Sequence, residues 1–181
     1  MSPTIFAGLL AFFLFTGTAG QASAPDFPSL SVTLTAYNAV PGQTDADPFI
    51  TASGSYANPS VVVARSRDLA KELPFGTVIA IEPPADPSHT CGYDLVGGTI
   101  GYRVVADTMN ARFTKYIDVL LPVDEVVSLG GKSVSLARAL GTCKDVTIRV
   151  VGKIDITKPS NLPKTQAALA AKVGASGLAV K

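Results

Sequence analysis

The sequence has no tryptophan, a single histidine, two cysteines and two methionines in 181 residues. One histidine and two cysteines are too few to complete a four-ligand zinc site, and nothing around the one histidine points to a Cys-His dyad. That histidine, His89, ends the Pro-rich stretch Pro83-Pro84-Ala85-Asp86-Pro87-Ser88-His89 and reads as a loop residue. An excess of either charge is also missing. Fifteen Lys and Arg against 14 Asp and Glu leave a formal net charge of +1. The basic residues are scattered, so no face suited to a phosphate backbone is expected and nucleic acid is not an expected partner. Long helical periods and internal repeats are absent as well. The apolar run at residues 5–15 falls well short of the roughly 20 residues that cross a bilayer.

That run, followed by a looser stretch and by Ala22-Ser23-Ala24, has the layout of a secretory signal peptide over residues 1–24, with cleavage expected after Ala24. The segment before it carries no Lys or Arg, which leaves an uncleaved anchor as the alternative. No cysteine stands at the cleavage point for lipidation, and the processed protein is expected to be exported, soluble and monomeric. Its length is that of one ordinary domain. In an oxidising compartment the cysteine pair, Cys91 and Cys143, most simply forms one disulfide. A free catalytic thiol or a metal pair are the alternatives, and both lack partner residues. Neither a metal nor a cofactor is expected.

Most of the chain reads as short strands rich in Val, Ile, Thr and Tyr between turn residues. Residues 31–36, Ser-Val-Thr-Leu-Thr-Ala, alternate polar and apolar with the period of a half-buried strand. A Gly, Pro and Asp-rich loop follows over residues 38–51. Further strands are expected at residues 61–64, 77–82, 101–106, 116–121 and 145–151, those at 101–106 and 116–121 as a pair. One or two helical turns are expected at residues 67–73. A short helix is expected at residues 122–129, started by Pro122, favoured by Asp124 and Glu125, and stopped by Gly130-Gly131. After Asp155 the composition changes to a linker at residues 157–163 and an Ala-rich stretch at 166–173. Residues 154–181 are therefore expected to form a linker and a flexible tail. The strand spacing predicts a mainly β fold, a small closed barrel with one or two short helices.

Asp118 interrupts an otherwise apolar strand, Tyr116-Ile117-Asp118-Val119-Leu120-Leu121. Burying a carboxylate costs several kcal/mol unless it is paired, hydrogen-bonded or protonated. The structural reading is an Asp satisfied by Arg103, Arg112 or backbone N–H groups. Asp107 ends another apolar strand and opens the loop that leads to Asp118. If those strands are neighbours, both carboxylates reach one pocket, where like charge and desolvation hold one of them protonated. A proton donor of that kind suits cleavage of a glycosidic bond.

The segments Thr35-Ala36-Tyr37, Thr51-Ala52-Ser53-Gly54, Val63-Ala64, Leu73-Pro74-Phe75-Gly76-Thr77, Val105-Ala106-Asp107-Thr108 and Ile117-Asp118-Val119 together resemble the three-aspartate ("3D") domain. That family is shared with membrane-bound lytic transglycosylase A and wall proteins of the stationary-phase and resuscitation-factor kind. The resemblance implies a six-stranded double-psi β-barrel over residues 30–153. It implies Asp118 as general acid and base on the bond between N-acetylmuramic acid and N-acetylglucosamine, with Asp107 polarising it. Tyr37, Thr51, Ser53, Gly54 and Thr108 would line the substrate cleft. The chain departs from the family in two places. Thr108 is followed by Met109-Asn110-Ala111-Arg112 in place of a Gly-Gly turn, and Ser66 stands where the first aspartate belongs, with Asp68 displaced beside it.

The Ala-Ser-Gly and Leu-Pro-Phe-Gly-Thr segments also resemble rare lipoprotein A and expansin-like barrels, which implies a polysaccharide-binding module without catalysis. Such modules lean on flat aromatic platforms, and here only Tyr and Phe residues are present to serve. Under either reading the expected partner is cell-wall glycan. An exported structural or inhibitor-like domain is the third alternative.

Overall fold

A computed structural model describes residues 28–42, 44, 47–86 and 91–177. The expected signal peptide and His89 lie outside the described residues. Six strands close into a barrel: β1 (Ser29–Tyr37), β2 (Val62–Arg65), β3 (Thr77–Ile81), β4 (Tyr102–Thr108), β5 (Tyr116–Leu120) and, after a separate hairpin, β8 (Cys143–Lys153). Their order around the barrel is β1-β5-β2-β4-β3-β8. The pairs β1 with β5 and β2 with β4 are parallel, and the other four pairings are antiparallel. Closure leaves these six strands with no free edge.

All six barrel strands fall where the β-branched runs place them, with ends shifted by a residue or two. Their apolar side chains fill two cores. Val32, Leu34, Val63, Ile79, Val105, Ile117, Val119 and Ile148 belong to one. Val62, Ala64, Val78, Val104, Ala106 and Leu120, on the opposite strand faces, belong to the other. The expected neighbourhood of residues 101–106 and 116–121 is not formed. β2 lies between β4 and β5, pairing parallel with one and antiparallel with the other.

The expected helix at residues 122–129 is instead half of a hairpin, β6 (Val126–Leu129) and β7 (Lys132–Ser135). Gly130 and Gly131 have φ of 57° and 76°. Two successive positive φ values make the tight two-residue turn whose twist matches an antiparallel ribbon. The Gly-Gly pair was thus a hairpin turn, and β-branched Val126 and Val127 follow it into strand.

Two helices were not visible in the sequence. α1 (Tyr93–Ile100) contains Gly97-Gly98, which ordinarily breaks helices. A Cβ at Gly97 would come within 2.8 Å of the Tyr93 ring, so the glycine accommodates that ring, whose hydroxyl donates to the Ile81 carbonyl. α2 (Leu136–Leu140) starts at Ser135, whose hydroxyl accepts from the Arg138 N–H. The Cys91–Cys143 disulfide joins the approach to α1 to the start of β8. The expected helical turn after β2 is a short 3₁₀ turn, Arg67–Ala70.

Up to Leu169 the stretch expected to be linker and tail is anchored to the barrel. Ile156, Leu162 and Leu169 are buried. The Gln166 amide, opening α3 (Gln166–Gly177), donates to the carbonyls of Ser60 and Tyr102 and accepts from the Tyr102 N–H. These apolar residues are too widely spaced to form a periodic face, and so gave no sequence signal. Among the described residues no helix is long and apolar enough to cross a membrane.

Candidate functional site

The register of β1, β5, β2 and β4 builds the site. Asp118 on β5 stands opposite Thr35 on β1 and opposite Ala64 on β2. Along β2 and β4 the pairing runs Val62 with Val104 and Val63 with Val105, then shifts, so that Ala64 meets Asp107. This one-residue bulge in β4 turns Asp107 onto the face of Ala64 and Asp118. The result is a row across four strands, Thr35, Asp118, Ala64 and Asp107. The two aspartates are separated by two strand spacings, on the order of 10 Å between Cα atoms. Ala64, with its single methyl, leaves the space between them open.

Each carboxylate is held by β1. The Thr35 hydroxyl donates to Asp118 Oδ1 at 2.7 Å. The Tyr37 hydroxyl donates to Asp107 Oδ2 at 2.8 Å. Asp107 Oδ1 also accepts the N–H groups of Ala52 and Thr108, both at 2.9 Å. Asp118 is half-buried, and burial pushes its carboxyl up to about 6. The Thr35 hydrogen bond opposes this rise and the Asp107 charge adds to it. Burial, helped by the Asp107 charge, pushes the Tyr37 phenol upward and keeps it a donor.

The structural reading of Asp118 loses its partners. Arg103 is fully buried and spends its guanidinium on the carbonyls of Pro59, Val62, Thr99, Ile100 and Leu120. Arg112 is exposed and lies over the Phe113 ring. Among the described residues no cation forms an ion pair with Asp118.

Both carboxylates open into a cleft of about 490 Å³. Tyr37, Ala64, Asp107, Thr108, Phe113 and Asp118 line it with buried or half-buried side chains, and Ile50, Arg67 and Arg112 line it with exposed ones. A hollow of about 530 Å³ lies elsewhere, beside α1 and α3, lined by Ala80, Tyr93, Gly97, Tyr102, Gln166 and Ala170 among others. It has no carboxylate, Lys or Arg, and Gln166 is committed to backbone, so we assign no chemistry to it.

Of the residues the sequence proposed, Asp118, Asp107, Tyr37 and Thr108 are brought together. Thr51, Ser53 and Gly54 do not line this cleft. The Thr51 hydroxyl is buried against Ser53 and the Ser55 carbonyl. Ser53 faces a separate hollow with Phe75 and Ile156, and Gly54 provides a positive-φ turn. Their loop contributes backbone, the Ala52 N–H on Asp107. Ser66 is buried, its hydroxyl accepting the Tyr116 N–H, and Asp68 accepts the Lys115 N–H at the surface, so neither takes the place of a third acid. Thr35 was missed, although period-2 alternation along β1 places it on the same face as Tyr37. Compared with known protein families and with curated proteins, the chain matches none.

Proposed function

We propose that the protein is an exported glycan-active protein that cleaves a glycosidic bond of the cell wall, with Asp118 as acid and base. The observation that carries this reading is a half-buried carboxyl without a cation partner, raised to about 6 and facing an open cleft beside a second carboxylate. The closed six-stranded mixed barrel supports the double-psi form that the three-aspartate resemblance implies. The disulfide supports an oxidising compartment.

In the proposed reaction Asp118 gives its proton to the glycosidic oxygen between muramoyl and glucosaminyl residues as the bond from that oxygen to the anomeric carbon breaks. The muramoyl 6-hydroxyl oxygen then bonds to that carbon and returns its proton to the Asp118 carboxylate. An anhydro end forms, Asp118 is regenerated and no water is consumed. Thr35 keeps Oδ1 occupied and leaves Oδ2 for the substrate. Asp107, fixed by three donors, keeps negative charge near Asp118 and so favours its acid form.

A second reading, binding without cleavage, draws on Phe49 and Tyr56, which are exposed on the loop that carries Ala52. Release of soluble fragments from dye-labelled insoluble peptidoglycan separates the two. Cleavage predicts release by the wild type and none by Asp118→Asn. Retention of both proteins on the wall without release would leave binding alone.

A further inference from the structure

The acid pair explains the depth of the cleft but not its rim, where Arg67 and Arg112 are both exposed and both line the opening. Arg67 begins the 3₁₀ turn after β2, and Arg112 sits in the loop between β4 and β5. Backbone ties these two segments together. The Met109 N–H donates to the Arg65 carbonyl and the Ser66 N–H to the Tyr116 carbonyl, each at 2.9 Å. The Tyr116 N–H donates to Ser66 Oγ and the Lys115 N–H to Asp68, each at 3.0 Å. The Arg112 guanidinium lies 4.8 Å from the Phe113 ring centroid, which steadies its plane. Both arginines therefore ride on one braced rim.

Neither guanidinium makes an ion pair among the described residues, although two carboxylates lie in the same cleft. Asp68, the acid nearest to Arg67 in sequence, is committed to the Lys115 N–H and the Ser66 hydroxyl. The charges are thus sorted, negative within and positive at the mouth. An anionic group is repelled from the floor and attracted at the rim.

We infer that Arg67 and Arg112 form a subsite for a carboxylate carried by the glycan, so that the substrate is an acidic saccharide whose charged group stays at the rim while its backbone reaches Asp118. The choice of ligand rests on the glycan reading above. Guanidinium groups present planar paired donors that match a carboxylate, and a neutral saccharide leaves them unsatisfied by the ligand. In wall glycan the carboxylate comes from the lactyl ether of a muramoyl residue or, where that is amidated, from the attached peptide.

The test uses the Asp118→Asn protein, so that ligands are not consumed, with affinity read by calorimetry. The ligands are a peptide-free tetrasaccharide of alternating glucosaminyl and muramoyl residues, a disaccharide-peptide, and chitotetraose, which has the amino-sugar backbone without carboxylates. At least one charged ligand is expected to bind about tenfold more tightly than chitotetraose, and which one identifies the source of the carboxylate. The preference should shrink as salt rises. Adding Arg67→Gln and Arg112→Gln should bring the charged ligand to the level of chitotetraose without changing chitotetraose itself. Equal affinity for all three, a preference that survives both substitutions, or no binding to any of them would overturn the subsite. Cleavage by the wild type together with equal affinities would remove the subsite alone. An arginine-dependent preference without cleavage would uphold the subsite and remove the enzymatic reading.

Discussion

At the scale of single residues, two side chains of β1 act on two different acids. Thr35 lowers and Asp107 raises the proton affinity of Asp118, while burial, the largest influence, sets it near 6. The proposed cleavage needs the protonated form at the start of the cycle, so activity should fall as pH rises through about 6. Removing the Thr35 donor removes an influence that lowers the value, so Thr35→Val should move the fall to higher pH. Asp107→Asn removes a neighbouring charge that raises it and should move the fall to lower pH. Carboxyl-carbon NMR titration of Asp118, assigned through the Asp118→Asn spectrum, reads the same midpoint without substrate. Midpoints that do not move in opposite directions would contradict this division of roles. Asp118 and Asp107 were legible in the sequence because each ends or interrupts an apolar run. Arg67 was not, and Arg112 was legible only as a partner for Asp118, because an exposed arginine carries no periodic signal and only folding puts these two on one rim.

At the scale of elements, the bulge in β4 is what brings the acids to one face. Without the extra residue, Ala106 would stand beside Ala64 and Asp107 would point to the opposite face. Alternation shows which way a regular strand faces but says nothing about where it slips, so this geometry was not readable beforehand. Ala64 then decides whether the gap between the acids stays open. Ala64→Val adds two methyl groups there and should cut cleavage by at least about tenfold, at an overpacking cost of about 1–3 kcal/mol. It should also desolvate Asp118 further and raise its midpoint. A Val variant with wild-type rate and midpoint would show that Ala64 does not border the reacting groups. The hairpin of β6 and β7 gives a similar lesson. A Gly-Gly pair ends a helix or turns a ribbon, and only the partner strand at Lys132–Ser135 distinguishes them.

At the scale of the whole molecule, closure and the disulfide bear on stability, while the proposed chemistry belongs to the cleft. Cys91 and Cys143 are 52 residues apart in sequence, and neither lines the cleft. Replacing both by Ser should cost about 4 kcal/mol of loop-closure entropy. For a domain of this size that lowers Tm by roughly 10 °C, measurable by thermal unfolding. Cleavage per folded molecule should not change. The six barrel strands were legible because each is a run of β-branched residues bounded by turn residues. Their order was not, since β2 enters between β4 and β5 through pairings far apart in sequence. The anchoring of residues 156–169 was hidden for the same reason, because Gln166 finds its partners on Ser60 and Tyr102. Delivery and recovery of a proton by Asp118 in this cleft are read by mass spectrometry of the fragments released from purified peptidoglycan. Fragments with anhydro-muramoyl ends, lighter by one water than hydrolysis products, are expected from the wild type and none from Asp118→Asn. Hydrolysed ends, or the same anhydro fragments from both proteins, would contradict that role of Asp118.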